Sequence, residues 1–303
     1  MKPQLGLALG GGGMKGLAHV GALYVLEEYR LKPDFIAGCS IGAIIGGFYA
    51  AGYSAQALAQ LLQQIDLPSF FSFRFDGMGL FDTTKFRHFL EEYLPFHQIE
   101  ELPLSFAAIA TDLETGEEVI LDKGPLIDAI LASSAVPGIF PPVNIDGRLL
   151  IDGGVVNNLP VSVLLDRNMD YTIAVRLFKK SVWKEPPLTD TREHPSFIDT
   201  SQQALLAGLI ARVKAQARRR IPQAFYIIKR SLDIIIAHHE ELRLSKYPPD
   251  ILIEPEVADI GILEFRDERK EEILQRGIQA ARHHAPELHT LAQKIVSDSS
   301  YAS

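Results

Sequence analysis

The chain has 303 residues, 47% of them hydrophobic and 22% charged, with a formal net charge of −8. Such a balance fits a soluble globular protein able to bury a sizeable core, and its acidic sign argues against a nucleic-acid partner, for which a basic surface is expected. The single cysteine, Cys39, excludes an intrachain disulfide and suits a reducing compartment.

The N-terminus runs directly into QLGLALGGGG. No separate apolar leader precedes folded-looking sequence, so the expected location is cytoplasmic. Gln4–Leu9 predicts a first strand ending in glycines, and the apolar spacing of Leu17, Val20, Leu23, Val25 and Leu26 predicts a helix within Lys15–Tyr29. Phe35–Ala37 predicts a buried second strand, and Ile41–Ala51 a helix of small residues. The whole uncharged stretch from Phe35 to Ala55 is long enough to cross a bilayer, but its glycines and the turn GCSIG read better as strand, turn and buried helix.

Ser54 is placed to cap a helix over Ala55–Ile65. The aromatic-rich LPSFFSFRFDGMGLFD follows, then a helix from Thr83 or Thr84 to Tyr93. Leu104–Ala110 and Glu117–Leu121 predict strands around a turn, Leu126–Ser133 a helix, Arg148–Ile151 a strand ending at Asp152, Val161–Arg167 a helix with Pro160 in its first turn, and Tyr171–Leu177 another strand. Lys179–Pro195 reads as a polar linker, followed by helices over Ser196–Arg220 and Gln223–Arg243. Ile251–Ile253 predicts one more buried strand for the same sheet, Asp267–His284 a last helix, and residues 291–303 a disordered tail. The expectation is one α/β domain over residues 1–290 with a helical C-terminal extension.

Three stretches carry chemistry. In GGGGMKG, Gly10–Gly16, glycines between a strand and a helix leave several backbone N–H groups at a positive helix end. Such a loop can cradle a phosphate or the oxyanion of an acyl transfer, or be a tight turn with no ligand. A dinucleotide site wants an acid at the end of the second strand, whereas Asp34 precedes that strand; a P-loop wants Lys-Ser/Thr after its last glycine, and Leu17-Ala18 stands there. In GCSIG, Gly38–Gly42, the serine sits where a strand turns sharply into a helix, with Gly38 and Gly42 giving room. Ser40 is then a nucleophile or a plain helix cap. In LLIDGGVVNNLP, Asp152 ends an apolar strand, where α/β sites assemble, though Asp-Gly also simply makes turns. His194 or His238 could complete a Ser, Asp, His order, but neither follows a strand, and most histidines read as exposed. Asp152 acting directly on Ser40 is the more economical arrangement.

GGGMKG, GCSIG, ASSAVPGIFPPV and DGG, in this order and spacing, resemble the bacterial patatin-like phospholipases, most strongly over residues 5–177. The resemblance implies a three-layer α/β/α fold with a mainly parallel sheet and a Ser-Asp dyad without histidine. Ser40 matches the nucleophile, Asp152 the base, and Gly12 and Gly13, with Gly11 beside them, the oxyanion glycines. Lys15, Gly16, Gly38, Gly42, Gly153 and Gly154 match supporting motif positions. Neither cofactor nor metal is implied. The expected partner is a lipid or acyl ester, with peripheral membrane contact through the Phe70–Phe81 loop if it is exposed; buried, that loop is only core. Lys214–Arg220 could attract anionic headgroups, but a solvated helix end that suits the dipole is the simpler reading. An acyltransferase or thioesterase using the same dyad, a nucleotide-binding regulator using the glycine loop, and a non-catalytic interaction protein are the alternatives. The sequence carries no signal for oligomeric state.

Overall fold

Among the described residues eight strands make the main sheet, in the order β10-β9-β1-β2-β5-β8-β7, with β6 paired separately to β5. The computed structural model describes residues 3–65, 67–70, 72–73, 79–178, 223–261 and 267–301. In chain order the elements are β1 Leu5–Leu9, α1 Leu17–Glu28, β2 Phe35–Cys39, α2 Ile41–Ala50, α3 Ala55–Gln64, the short pair β3 Ser72–Phe73 and β4 Phe81–Asp82, α4 Thr84–Tyr93, β5 Ser105–Asp112, β6 Glu118–Leu121 and α5 Leu126–Ser133. Then come β7 Val143–Ile145, β8 Arg148–Asp152, α6 Gly154–Asn157, α7 Val161–Asp166, β9 Tyr171–Val175, α8 Gln223–Lys246, β10 Ile251–Ile253, α9 Lys270–His283 and α10 Ala285–Tyr301.

The chain divides into two compact units, residues 1–181 with 236–303, and residues 182–235. The sheet lies in the first unit. The described part of the second is residues 223–235, the first half of α8.

β10, β9, β1, β2 and β5 run parallel, whereas β6, β8 and β7 pair antiparallel. The parallel strands LGLAL and FIAGC are buried along their whole length, as strands covered on both faces must be. Alternation sends Leu5, Leu7, Leu9 and Ile36 into one core with residues of α1, α2, α3, α5, α9 and α10. Ala8, Phe35, Ala37 and Cys39 face a second, thinner core under α7. The three-layer α/β architecture and the tenth strand follow the sequence expectation.

The C-terminal tail differs from it. The terminal segment is helical through Tyr301 instead of disordered from residue 291, because Leu288 and Leu291 are buried against the main core. In the aromatic loop, which the sequence left open between exposure and burial, Phe70 packs on Phe86 and Phe89, and Phe81 on Phe140. Phe71, Phe75 and Met78, the linker Lys179–Pro195, the helix Ser196–Arg220 and the basic run Lys214–Arg220 lie outside the described residues. No helix among the described residues is long and apolar enough to cross a membrane.

Candidate active site

The register of β5 explains how two residues 112 positions apart come together. β2 pairs with β5 up to Cys39↔Ile109, and β8 pairs from Asp152↔Ala110 onward. β6 overlaps both, pairing with Ala108 through Thr111, so it must occupy the opposite edge of β5. β2 and β8 therefore share one edge and run toward each other, and their C-terminal ends meet at the Ile109–Ala110 junction. Ser40 is the next residue after β2, and Asp152 is the last of β8.

Ser40 sits at φ 54° and ψ −122°, a backbone state that side-chain-bearing residues adopt at a cost of about 1–3 kcal/mol. The turn is held by its surroundings: Ser40 N–H donates to Ser133 Oγ at 2.9 Å, and Ser40 O accepts the Ala43 and Ile44 N–H groups that start α2. A Cβ on Gly42 would lie 2.1 Å from Leu9 O, and one on Gly38 2.4 Å from Gly42 O, so the crossing of β1, β2 and α2 has room for hydrogen only. Gly16 lets Ile41 pack against the start of α1 in the same way.

Asp152 is 6% exposed. Its Oδ1 accepts the Gly154 N–H at 2.7 Å and lies 3.8 Å from Cys39 Sγ. Burial pushes the Asp152 pKa up to about 6, with the neighbouring Ser40, Gly154 and Cys39 groups favouring the charged form and pulling the other way. Burial and the Asp152 charge likewise push the Cys39 thiol well above its usual range, which suits a packing residue rather than a second nucleophile. A Cβ on Gly153 would meet Ile109 O at 2.2 Å, so glycine is required where the chain leaves β8.

The glycine loop passes the same point. Gly10 N–H donates to Val175 O at 3.1 Å, and Gly11 N–H to Asn158 O at 3.0 Å. That bond removes Gly11 from the expected oxyanion donors, since its N–H is already spent. Gly12 and Gly13 make no such backbone bond among the described residues, and Gly13 has φ 59°. Gly11 still matters sterically, with a Cβ there falling 2.3 Å from Asn158 Oδ1 and 3.3 Å from Ser40 Cβ. Lys15 is buried with its Nζ 4.8 Å from the Phe178 ring centre, a cation–π geometry.

Several contributors escaped the sequence reading. His19 is fully buried rather than exposed, its Nε2 2.7 Å from Gly10 O; burial lowers its pKa to about 4, so the neutral ring donates to the loop carbonyl at neutral pH. Asn158 joins the glycine loop to α8, its Nδ2 donating to Glu240 Oε2 at 2.5 Å. Glu240 also accepts from Arg176 Nε at 2.6 Å. Asn157 next door donates to Glu118, which in turn pairs with Arg243 of α8. The only sequence signal was the pair of asparagines after DGG, since their partners lie 82 and 39 residues away. Among the described residues no histidine bonds to Ser40 or Asp152; His238 lies within α8, and His194 falls outside the described residues.

Ser40 opens onto a cleft whose walls are almost entirely aliphatic and aromatic side chains of α2, α3, α4, α5 and the Val136–Val143 loop. A hydroxyl beside a buried carboxyl, two unspent backbone amides and an apolar cleft are together suited to attack on a carbonyl that carries a hydrocarbon chain.

Residues 7–165 match the family described as patatin-like phospholipase. An NTE family protein of Mycobacterium tuberculosis is 39% identical over 183 residues, 58% of this chain and 49% of that protein. A second from the same organism is 28% identical over 286 residues, 92% of this chain and 46% of the other. Lysophospholipase NTE1 of Candida albicans is 31% identical over 56% of this chain and 13% of its own length. The chain thus spans about half the length of the mycobacterial relatives it matches. The crystal structure of VipD from Legionella pneumophila shares the fold at a TM-score of 0.51, with 14% identity, covering 94% of this chain and 67% of that one.

Proposed function

The chain belongs to the patatin-like phospholipase family, and we propose that it is a serine acyl hydrolase that cleaves carboxylic esters of lipids with Ser40 and Asp152. The observation that carries this reading is the meeting of β2 and β8 end to end on β5, which sets the buried Asp152 carboxyl beside Ser40, itself part of the wall of an apolar cleft. The lipid substrate class rests on the family and on the lysophospholipase among the relatives, and the cleft lining supports it.

In the first step Asp152 takes the Ser40 proton as Oγ bonds to the ester carbon and the carbonyl electron pair moves to oxygen. The Gly12 and Gly13 amides face the charge that develops there; one such donor is worth about 2.7–4 kcal/mol in comparable sites. The C–O bond to the alcohol then breaks, and Asp152 returns the proton to the leaving oxygen. Water repeats the sequence on the acyl-serine, releasing the acid and free Ser40. An ordinary aspartate is a weak base; burial raises Asp152 to about 6, close to the optimum for a base at neutral pH while leaving it mostly ionised.

Purified Ser40→Ala and Asp152→Asn proteins, compared with the wild type on a short acyl ester and on fluorophosphonate labelling, test the assignment. Labelling of the wild type alone, with hydrolysis abolished in both variants, is the expected result. Wild-type rates in either folded variant would overturn it.

A further inference from the structure

The cleft runs along one helix face that begins at Ser40 itself. Ile41, Ile44, Ile45 and Phe48 all line it, the i, i+3, i+4, i+7 series that shares one side of a helix. Because Ser40 is the cap of α2, this stripe measures distance from the hydroxyl. At about 1.5 Å of rise per residue, Phe48 lies about 12 Å from Ser40 along the axis. The far end is closed: Phe48 is 3% and Phe89 8% exposed, their ring centres are 6.0 Å apart, and Leu58, which also lines the cleft, is 1% exposed.

We propose that α2 is an acyl-chain ruler, in which Phe48 sets the longest chain that can lie fully inside the cleft while its carbonyl is at Ser40. The inference rests on the hydrolase reading and deepens it. An extended hydrocarbon of C–C bonds about 1.5 Å long advances roughly 1.3 Å per carbon, so about 12 Å takes up roughly nine or ten carbons. Up to that length each added methylene leaves water and raises kcat/KM about three- to fourfold, the ratio that corresponds to about 0.8 kcal/mol per CH2. Beyond it the chain meets close-packed rings that yield only at a cost.

The test is kcat/KM across a homologous series of 4-nitrophenyl esters from acetate to palmitate, for the wild type, Phe48→Ala and Ile44→Phe, each checked for folding by circular dichroism. The wild-type maximum is expected near decanoate. Phe48→Ala should move it toward myristate, and Ile44→Phe, one turn from Ser40, toward hexanoate or shorter. If Phe48→Ala does not fold, Ile44→Phe carries the test. Folded variants whose maxima coincide with the wild type would overturn the ruler alone. A wild type that turns over no ester of any length would overturn the hydrolase reading, and the ruler with it.

Discussion

Asn158 and Glu240 are joined at 2.5 Å beneath the glycine loop, with the main-chain carbonyl of Asn158 receiving the Gly11 N–H on its other side. One asparagine therefore ties the loop to α8. Glu240 is 2% exposed, and burial pushes its carboxyl pKa up although Asn158 and Arg176 oppose the shift. Removing it leaves Asn158 Nδ2 and Arg176 Nε without this acceptor. Arg176 keeps Glu241 and Glu254, so Glu240→Leu should cost about 1–3 kcal/mol and slow fluorophosphonate labelling of the folded fraction, because the loop loses its anchor. Glu240→Gln, which keeps an acceptor oxygen, should cost less and label faster than Glu240→Leu. Urea unfolding and labelling rates read both effects.

Hydrolysis should follow the ionisation of Asp152. The base must be deprotonated, and its pKa is about 6, so kcat/KM should rise tenfold per pH unit below about 6 and level off above it. An ordinary carboxylate would place the break near 3.8. A pH profile on a neutral short-chain ester, taken where the protein stays folded, separates the two.

The same burial makes Asp152 costly to the fold. Its folded pKa is raised, so the folded state holds the proton more tightly than the unfolded chain. That contribution is complete below about 3.8 and is lost as pH rises through about 6. The loss is at most about 3 kcal/mol. Asp152→Asn keeps an oxygen for the Gly154 N–H and carries no charge, so it should melt higher than the wild type at pH 8 and converge with it toward pH 4. Calorimetry at the two pH values checks the sign.

Glycine substitutions should divide sharply. Gly153→Ala would put its Cβ 2.2 Å from the Ile109 carbonyl oxygen, which forces β8 away from β5 and should abolish both activity and cooperative folding. Gly116→Ala, at φ +73° but with open space around it, should cost only about 1–2 kcal/mol and leave the labelling rate unchanged. Thermal melts with labelling assays separate the steric demand from the conformational one.

Much of the fold was legible because its strands are continuous apolar runs bounded by glycine, proline or charged residues. β1, β2, β8 and β10, and the helices α1, α2, α7 and α9, fall where the pattern put them, to within a few residues. β7, three partly exposed residues, carries no such signal. The helical tail was hidden because its composition is polar, while the burial of Leu288 and Leu291 that holds it depends on the core.

By itself the sequence determined the local chemistry: a serine at a strand–helix turn, an aspartate at a strand end, and a glycine loop before a helix, each a property of a few adjacent residues. Only the tertiary structure decided which of these groups could act on one another. Sheet order turns β2 and β8 head to head along β5 and brings Asp152 to Ser40. Burial then raises that carboxyl's pKa, and packing spends the Gly11 amide on Asn158. Distance, desolvation and the pairing of backbone groups belong to the packed molecule, and no run of neighbouring residues encodes them alone.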